Sequence, residues 1–225
     1  MKKSENFIVK KPYQPTDDEK KAIAELKAKG LETKDWDSQK KGIKSFKNNM
    51  RDYMYDEQKC KCAYCRIYIP AGCCNLDREH IVPKSLHPQW MFEPRNLCFA
   101  CNKCNEYKND EEVLSNPKRK NYPSKKKDFL IVNPFLDVYS DNIEIVNDII
   151  YKGKTKKGKF TIKTCNLSRV ELAYERAKIK IAETKDPKPV QALVLSLLSN
   201  SPDIEKVKQE LEKIVEIYKI DNEDK

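Results

Sequence analysis

Apolar residues recur at helical spacing early in the chain. Ile43, Phe46, Met50, Tyr53 and Met54 fall on one face and predict a helix over 38–58. Ahead of it, Thr16-Asp-Asp-Glu19 has the pattern of a capping box and Gly30 marks a stop, so a shorter helix is predicted over 17–29. The pattern then shortens. Segments 77–82 and 97–100 read as strands on either side of a loop punctuated by Pro83, Pro88 and Pro94, and a helix begins near Asn102. Segments 129–135, 143–146, 149–152 and 160–164 also read as short strands, the last two joined by a turn between Gly153 and Gly158. Helical patterning returns at Ser168, which with Glu171 caps a helix running to 184, and an apolar helix over 190–199 follows Pro187 and Pro189. Ser201-Pro-Asp-Ile-Glu205 starts a last helix, on which Ile204, Val207, Leu211, Ile214 and Tyr218 repeat at 3,4,3,4 spacing. Such a stripe packs into its own protein or docks a partner helix. The chain therefore reads as an α+β protein with four regions: helical 1–59, a central 60–115, a basic loop with short strands over 116–165, and helical 166–225.

Charge narrows the partners. The 225 residues carry 45 Lys+Arg against 35 Asp+Glu, a formal +10. That excess favours a polyanion, and nucleic acid is the usual one. An anionic membrane fits less well, because no basic helix shows bulky apolar anchors and no apolar run approaches spanning length. The opening MKKSENFIVKK lacks an apolar core behind its lysines, so it is not expected to be a signal peptide. Nine cysteines then read as reduced, metal-serving thiols of a cytoplasmic protein, the odd count leaving at least one free. The chain has no G-x-x-x-x-G-K-[ST] motif, so any ATP dependence would come from a partner.

The cysteine spacing carries the most chemistry. Cys62-x-x-Cys65 and Cys101-x-x-Cys104 are two knuckles of the kind that share one tetrahedral Zn²⁺. Cys98-x-x-Cys101 has the same spacing and is a rival register, although Cys98 falls within a predicted strand. Cys60 is too close to Cys62, and Cys73, Cys74 and Cys165 read as small buried or half-buried residues. A closed four-cysteine site has no open position, so this zinc would hold structure, lowering the net charge to roughly +8. Glu79, His80 and Asn96 lie between the knuckles and Asn105 directly after them. An imidazole, a carboxylate and two carboxamides are the kit for metal-assisted hydrolysis. His87 reads as a loop residue. The basic run 118–127, with Tyr122 inside it, reads equally as a phosphate contact or a solvated linker.

Taken together, Cys-x-x-Cys, Glu79-His80-Ile-Val-Pro-Lys84, Asn96-Leu97 and Cys-x-x-Cys-Asn105-x-x-Lys108 resemble the zinc-containing HNH endonucleases, whose fold is the ββα-metal finger. The match covers 62–108. The resemblance implies that His80 is the general base and that Asn96 orients it. It implies that Glu79 and Asn105 hold a catalytic Mg²⁺ or Mn²⁺, and that Lys84, Arg95 and Lys108 contact phosphate. The family's acid is more often Asp, which makes Asp77 a second candidate. Glu79 and His80 point to opposite sides of a regular strand, so they act together only where the strand ends or bulges. The implied activity is phosphodiester hydrolysis, with DNA favoured and RNA open. A non-catalytic, zinc-stabilised nucleic-acid-binding module is the rival. A looser similarity, over 130–135 and 165–172, is to small HNH nucleases encoded beside an ATPase in Septu-type and retron-linked anti-phage systems. It implies a defence effector with an ATPase partner, for which the C-terminal stripe is one docking place.

Overall fold

A computed structural model describes residues 7–70, 72, 76–182 and, singly, 192, 194, 195, 205, 208, 209 and 212. The C-terminal stripe from Ile204 to Tyr218 lies outside the described residues, as do Cys73, Cys74 and nearly all of the segment 190–199. The architecture is mixed α+β with two small antiparallel sheets, and the chain divides into two units. No helix among the described residues is long and apolar enough to cross a membrane.

The first unit comprises Met1–Glu144 and Gly153–Asn166. Its opening helices are α1 (Asp17–Lys27) and α2 (Lys41–Glu57), close to the predicted spans. The expected capping box is present, with the Thr16 hydroxyl accepting from Glu19 N and the Glu19 carboxylate from Thr16 N. Glu19 does more than cap. It is fully buried, and its two oxygens also accept from Tyr13, Ser45 and Asn49 at 2.7–2.8 Å. Burial pushes its pKa up, but the hydrogen bonds outweigh that and hold it below the ordinary value. One carboxylate thus joins the entering chain, α1 and α2. Ile43, Phe46, Met50 and Met54 supply the apolar side of the same contact, all with no exposed surface.

The strands β1 (Leu76–His80) and β2 (Leu97–Cys101) pair antiparallel, and α3 (Asn102–Lys108) follows directly. A short helix α4 (Tyr139–Asn142) precedes β3 (Ile143–Val146), which pairs with β4 (Ile150–Gly153). Two strand expectations fail. Residues 160–164 belong to a helix, α5 (Lys156–Thr164), not to a strand. Its start is fixed by Thr155, whose hydroxyl accepts from Gly158 N at 3.0 Å. The Thr161 hydroxyl bonds back to Lys157 O and accepts from Val132 N, which ties the helix to the 129–135 segment. Gly158 is a close approach: a Cβ there would lie 1.9 Å from Asn142 O. Segment 129–135 makes only one bridge, Leu114 to Phe129, before Asn133 and Pro134 turn the chain. The predicted turn at Gly153–Gly158 is likewise replaced. The hairpin reverses earlier, at Asn147 and Asp148, both left-handed (φ 53° and 64°).

The second unit comprises Ile145–Lys152 and Leu167–Lys225. Its described core joins Ile149 to Ala173, Ala177 and Ile181 of α6 (Val170–Ala182) and to Val194.

Replacing Glu19 with Ala would strand donors from the entering chain and from α2, the buried Tyr13 hydroxyl among them. We expect Glu19→Ala to lower the unfolding free energy by about 3 kcal/mol in a urea titration.

Candidate metal centre

Four sulfurs define the site. The Sγ atoms of Cys62, Cys65, Cys101 and Cys104 all lie within 4.8 Å of one another, and Cys65 Sγ is 3.9 Å from Cys101 Sγ. Tetrahedral Zn–S bonds of about 2.3 Å put sulfurs about 3.8 Å apart. The quartet therefore fits one Zn²⁺-like ion, and Cys98 is outside it. Backbone geometry builds the first knuckle. Arg66 takes a left-handed φ of 58° and its N–H returns to Cys62 O, while Ala63 N bonds to Phe99 O across to β2. Cys101 has two positions at once. It ends β2 and caps α3, its sulfur accepting from Cys104 N at 3.5 Å.

Without a cation the four thiols share protons unequally. Hydrogen bonding to Cys101 pushes Cys65 and Cys104 well above the ordinary thiol range, while the bonds from Cys104, Cys62 and Cys65 hold Cys101 below it. Four thiolates this close need a cation to balance them, which is the chemistry Zn²⁺ supplies.

Strand β1 carries the other candidates, and its alternation separates them. In register, Glu79 lies opposite Cys98 and His80 opposite Leu97. The Glu79 carboxylate is buried; it accepts from Tyr64 OH at 3.0 Å and pairs with Lys108 Nζ at 2.7 Å. Burial raises its pKa, and the Lys108 ammonium pulls the other way. Lys108 itself is turned inward, 1% exposed, and also donates to His80 O at 2.9 Å. That ammonium, expected at a phosphate, instead ties the end of α3 to the end of β1. Asp77 and Asn105 meet at the half-exposed edge, where Asn105 Nδ2 donates to Asp77 Oδ2 at 3.0 Å.

His80 faces the 81–96 loop. Its Nε2 lies 3.1 Å from Met91 O, and its ring meets the edge of Trp36 at 4.4 Å between centroids. A carbonyl only accepts, so Nε2 carries the proton and Nδ1 keeps a lone pair. Burial, helped by the charge of Lys84, lowers the His80 pKa to about 3, so the imidazole is neutral at physiological pH. Asn96 is fully buried and spans the loop: Nδ2 donates to Val82 O and Trp90 O, and Oδ1 accepts from Val82 N. Thus His80 and Asn96 act on one loop, and Asp77 joins Asn105. Among the described residues no hydrogen bond links the two pairs. Lys84 is half-buried, and Arg95 is exposed beside Glu93. His87 pairs with Glu112 at 2.9 Å and stacks on Trp90. Tyr64 and Trp36 were not foreseen. Tyr64 sits between the knuckle cysteines, but nothing in its spacing assigns its hydroxyl a partner.

We expect about one zinc per chain by elemental analysis, lost in Cys104→Ser together with a large drop in melting temperature. A second expectation follows from His80. Its folded pKa lies below the unfolded value near 6.5, so only the unfolded chain takes up a proton as pH falls from 6.5 toward 3. Stability is lost across that window, and by pH 5 wild type should lose about 1–2 kcal/mol more than His80→Asn in paired urea titrations.

A Septu protein PtuB from Bacillus thuringiensis is 30% identical to this chain over 120 residues, 53% of this chain and 41% of that protein. The chain thus spans less than half the length of this curated relative. No family model matches the chain, and no solved structure matches it at a significant level.

Proposed function

We propose that this protein is a metal-dependent endonuclease with an HNH-type ββα-metal core, cutting phosphodiester bonds, DNA by preference, in an anti-phage defence system. The observation that supports it best is the setting of His80. Its imidazole is neutral, its tautomer is set by Met91 O, and its loop is held by Asn96, which leaves Nδ1 as a fixed proton acceptor. A pKa of about 3 makes it a weak base in this state. A phosphate anion nearby would favour the imidazolium and bring the pKa toward neutrality, where a general base works best. Lys84 and Arg95 would bind that phosphate. Lys108 acts instead as a positioning residue for the strand end.

A Mg²⁺ or Mn²⁺ ion would polarise the scissile phosphate and stabilise the leaving oxygen. Asp77 and Asn105 offer two hard oxygen donors that fit such an ion, which tolerates a site filled mostly by water and phosphate. Glu79 fits less well, because it is buried and its Oε1 already holds Lys108 and Tyr64. The similarity to a Septu protein PtuB supports the defence role and, with it, an ATPase partner.

A second reading is a zinc-stabilised nucleic-acid-binding module without catalysis. The commitment of Glu79, and the separation of His80 from the Asp77–Asn105 pair, favour it. Nicking of supercoiled plasmid at low salt separates the two. We expect cutting by wild type with Mn²⁺ or Mg²⁺, none without an added divalent ion, and a fall of about 10²–10⁴-fold in His80→Ala. Equal cutting by both chains would overturn the base assignment. Plasmid retained but uncut by either would favour the binding module or a nuclease held silent until its partner releases it, and labelled RNA in parallel tests the nucleic-acid preference.

A further inference from the structure

The first unit has a concave feature beside the 81–96 loop. A cleft of about 400 Å³ is lined by Lys27, Leu31, Pro88, Gln89, Trp90 and Lys120. Lys27 ends α1, and Lys120 belongs to the basic run 118–127. Both are exposed, and among the described residues neither ammonium is paired with a carboxylate. No acid lines the cleft.

The basic run is not a loose linker beside it. Tyr122 donates its hydroxyl to Arg95 O at 2.8 Å and sets its ring edge-on to Trp90 at 5.7 Å. Arg119 pairs with the largely buried Asp128 at 2.8 Å. These two anchors fix the backbone on either side of Lys120, whose exposed side chain lines the cleft. The opposite connection runs to the candidate chemistry. Trp90 O accepts from Asn96, and the next carbonyl, Met91 O, faces His80 Nε2. The floor of the cleft and the seat of His80 are therefore consecutive residues of one loop.

We propose that this cleft takes one unpaired nucleotide of a nucleic-acid strand. Its phosphate sits between Lys27 and Lys120, and its sugar and base lie against Leu31 and Pro88. A cleft of this volume admits one nucleotide, whereas the paired bases of a duplex would stay outside its mouth. Two free ammoniums beside an apolar wall combine charge and surface as single-strand sites do. The carboxamide of Gln89 can meet a base edge without selecting among bases. The proposal rests on the nuclease reading and deepens it by naming where the strand beside the scissile bond is held.

The test measures anisotropy of labelled single-stranded and duplex DNA with the full zinc-bound chain and no added divalent ion. Wild type is compared with Lys27→Gln, Lys120→Gln, their double variant, and Lys44→Gln as an exposed control on α2. We expect the double variant to weaken single-strand binding about tenfold or more. Its salt dependence should fall by about 0.7 in slope, the share of the single phosphate that the two lysines hold. Lys44→Gln should stay within about twofold of wild type, and all melting temperatures should match. Unchanged binding in the double variant, or an equal loss in Lys44→Gln, overturns the cleft while leaving the nuclease reading intact. Duplex binding as tight and as sensitive to the double variant overturns the single-strand assignment. Absence of any binding by wild type overturns the cleft, while the nuclease reading is decided by the plasmid assay with added metal.

Discussion

Crowding of four thiols is the constraint from which the first unit is built. Sulfurs within 4.8 Å of one another cannot all ionise unless a cation sits among them, so an ion bound there would stabilise the fold around it. The consequence passes along the chain through Cys101. Because that residue both ends β2 and caps α3, holding its sulfur fixes the angle at which the helix leaves the sheet. Asn105 then arrives at the half-exposed edge beside Asp77, and Lys108, one turn later, arrives inside.

Lys108 sets the opposite end of the same framework. A buried ammonium is costly to desolvate, and here one carboxylate and one carbonyl offset the cost together. The Glu79 and His80 contacts come from adjacent residues of β1, so a slip of one position would break both and turn the apolar side outward. Such a pair adds little net stability compared with an apolar substitute, but it specifies register. The same register keeps His80 with the loop and Glu79 with the helix. A strand that ran regularly to its end thus divided two residues that a shared metal and water would need together.

Much of this was legible in the residues, for particular reasons. The capping box at Thr16, the apolar face of α2, and the two cysteine knuckles are local patterns whose partners lie within a turn or two. The strand–loop–strand–helix order over 76–108 followed from proline punctuation and short apolar runs. The failures are tertiary. Residues 160–164 have strand-like side chains, but the Thr155 cap starts a helix ahead of them and Thr161 ties that helix to Val132. The inward turn of Lys108 depends on Glu79 and the His80 carbonyl across the sheet, partners that spacing does not reveal. The commitment of Glu79 was hidden for the same reason. Its closest partners are 15 and 29 positions away, on a knuckle and on a helix.

The chain has two tryptophans and two histidines, and the fold matches them one to one. Trp36 meets His80 edge-on at 4.4 Å, and Trp90 lies flat on His87 at 4.8 Å. An imidazolium accepts an electron from excited indole far more readily than a neutral imidazole does. Each histidine is thus wired to its own optical reporter. Because one pair contains the candidate base and the other forms part of the cleft floor, the protein's native tryptophan fluorescence arises at the two places where chemistry or binding is expected.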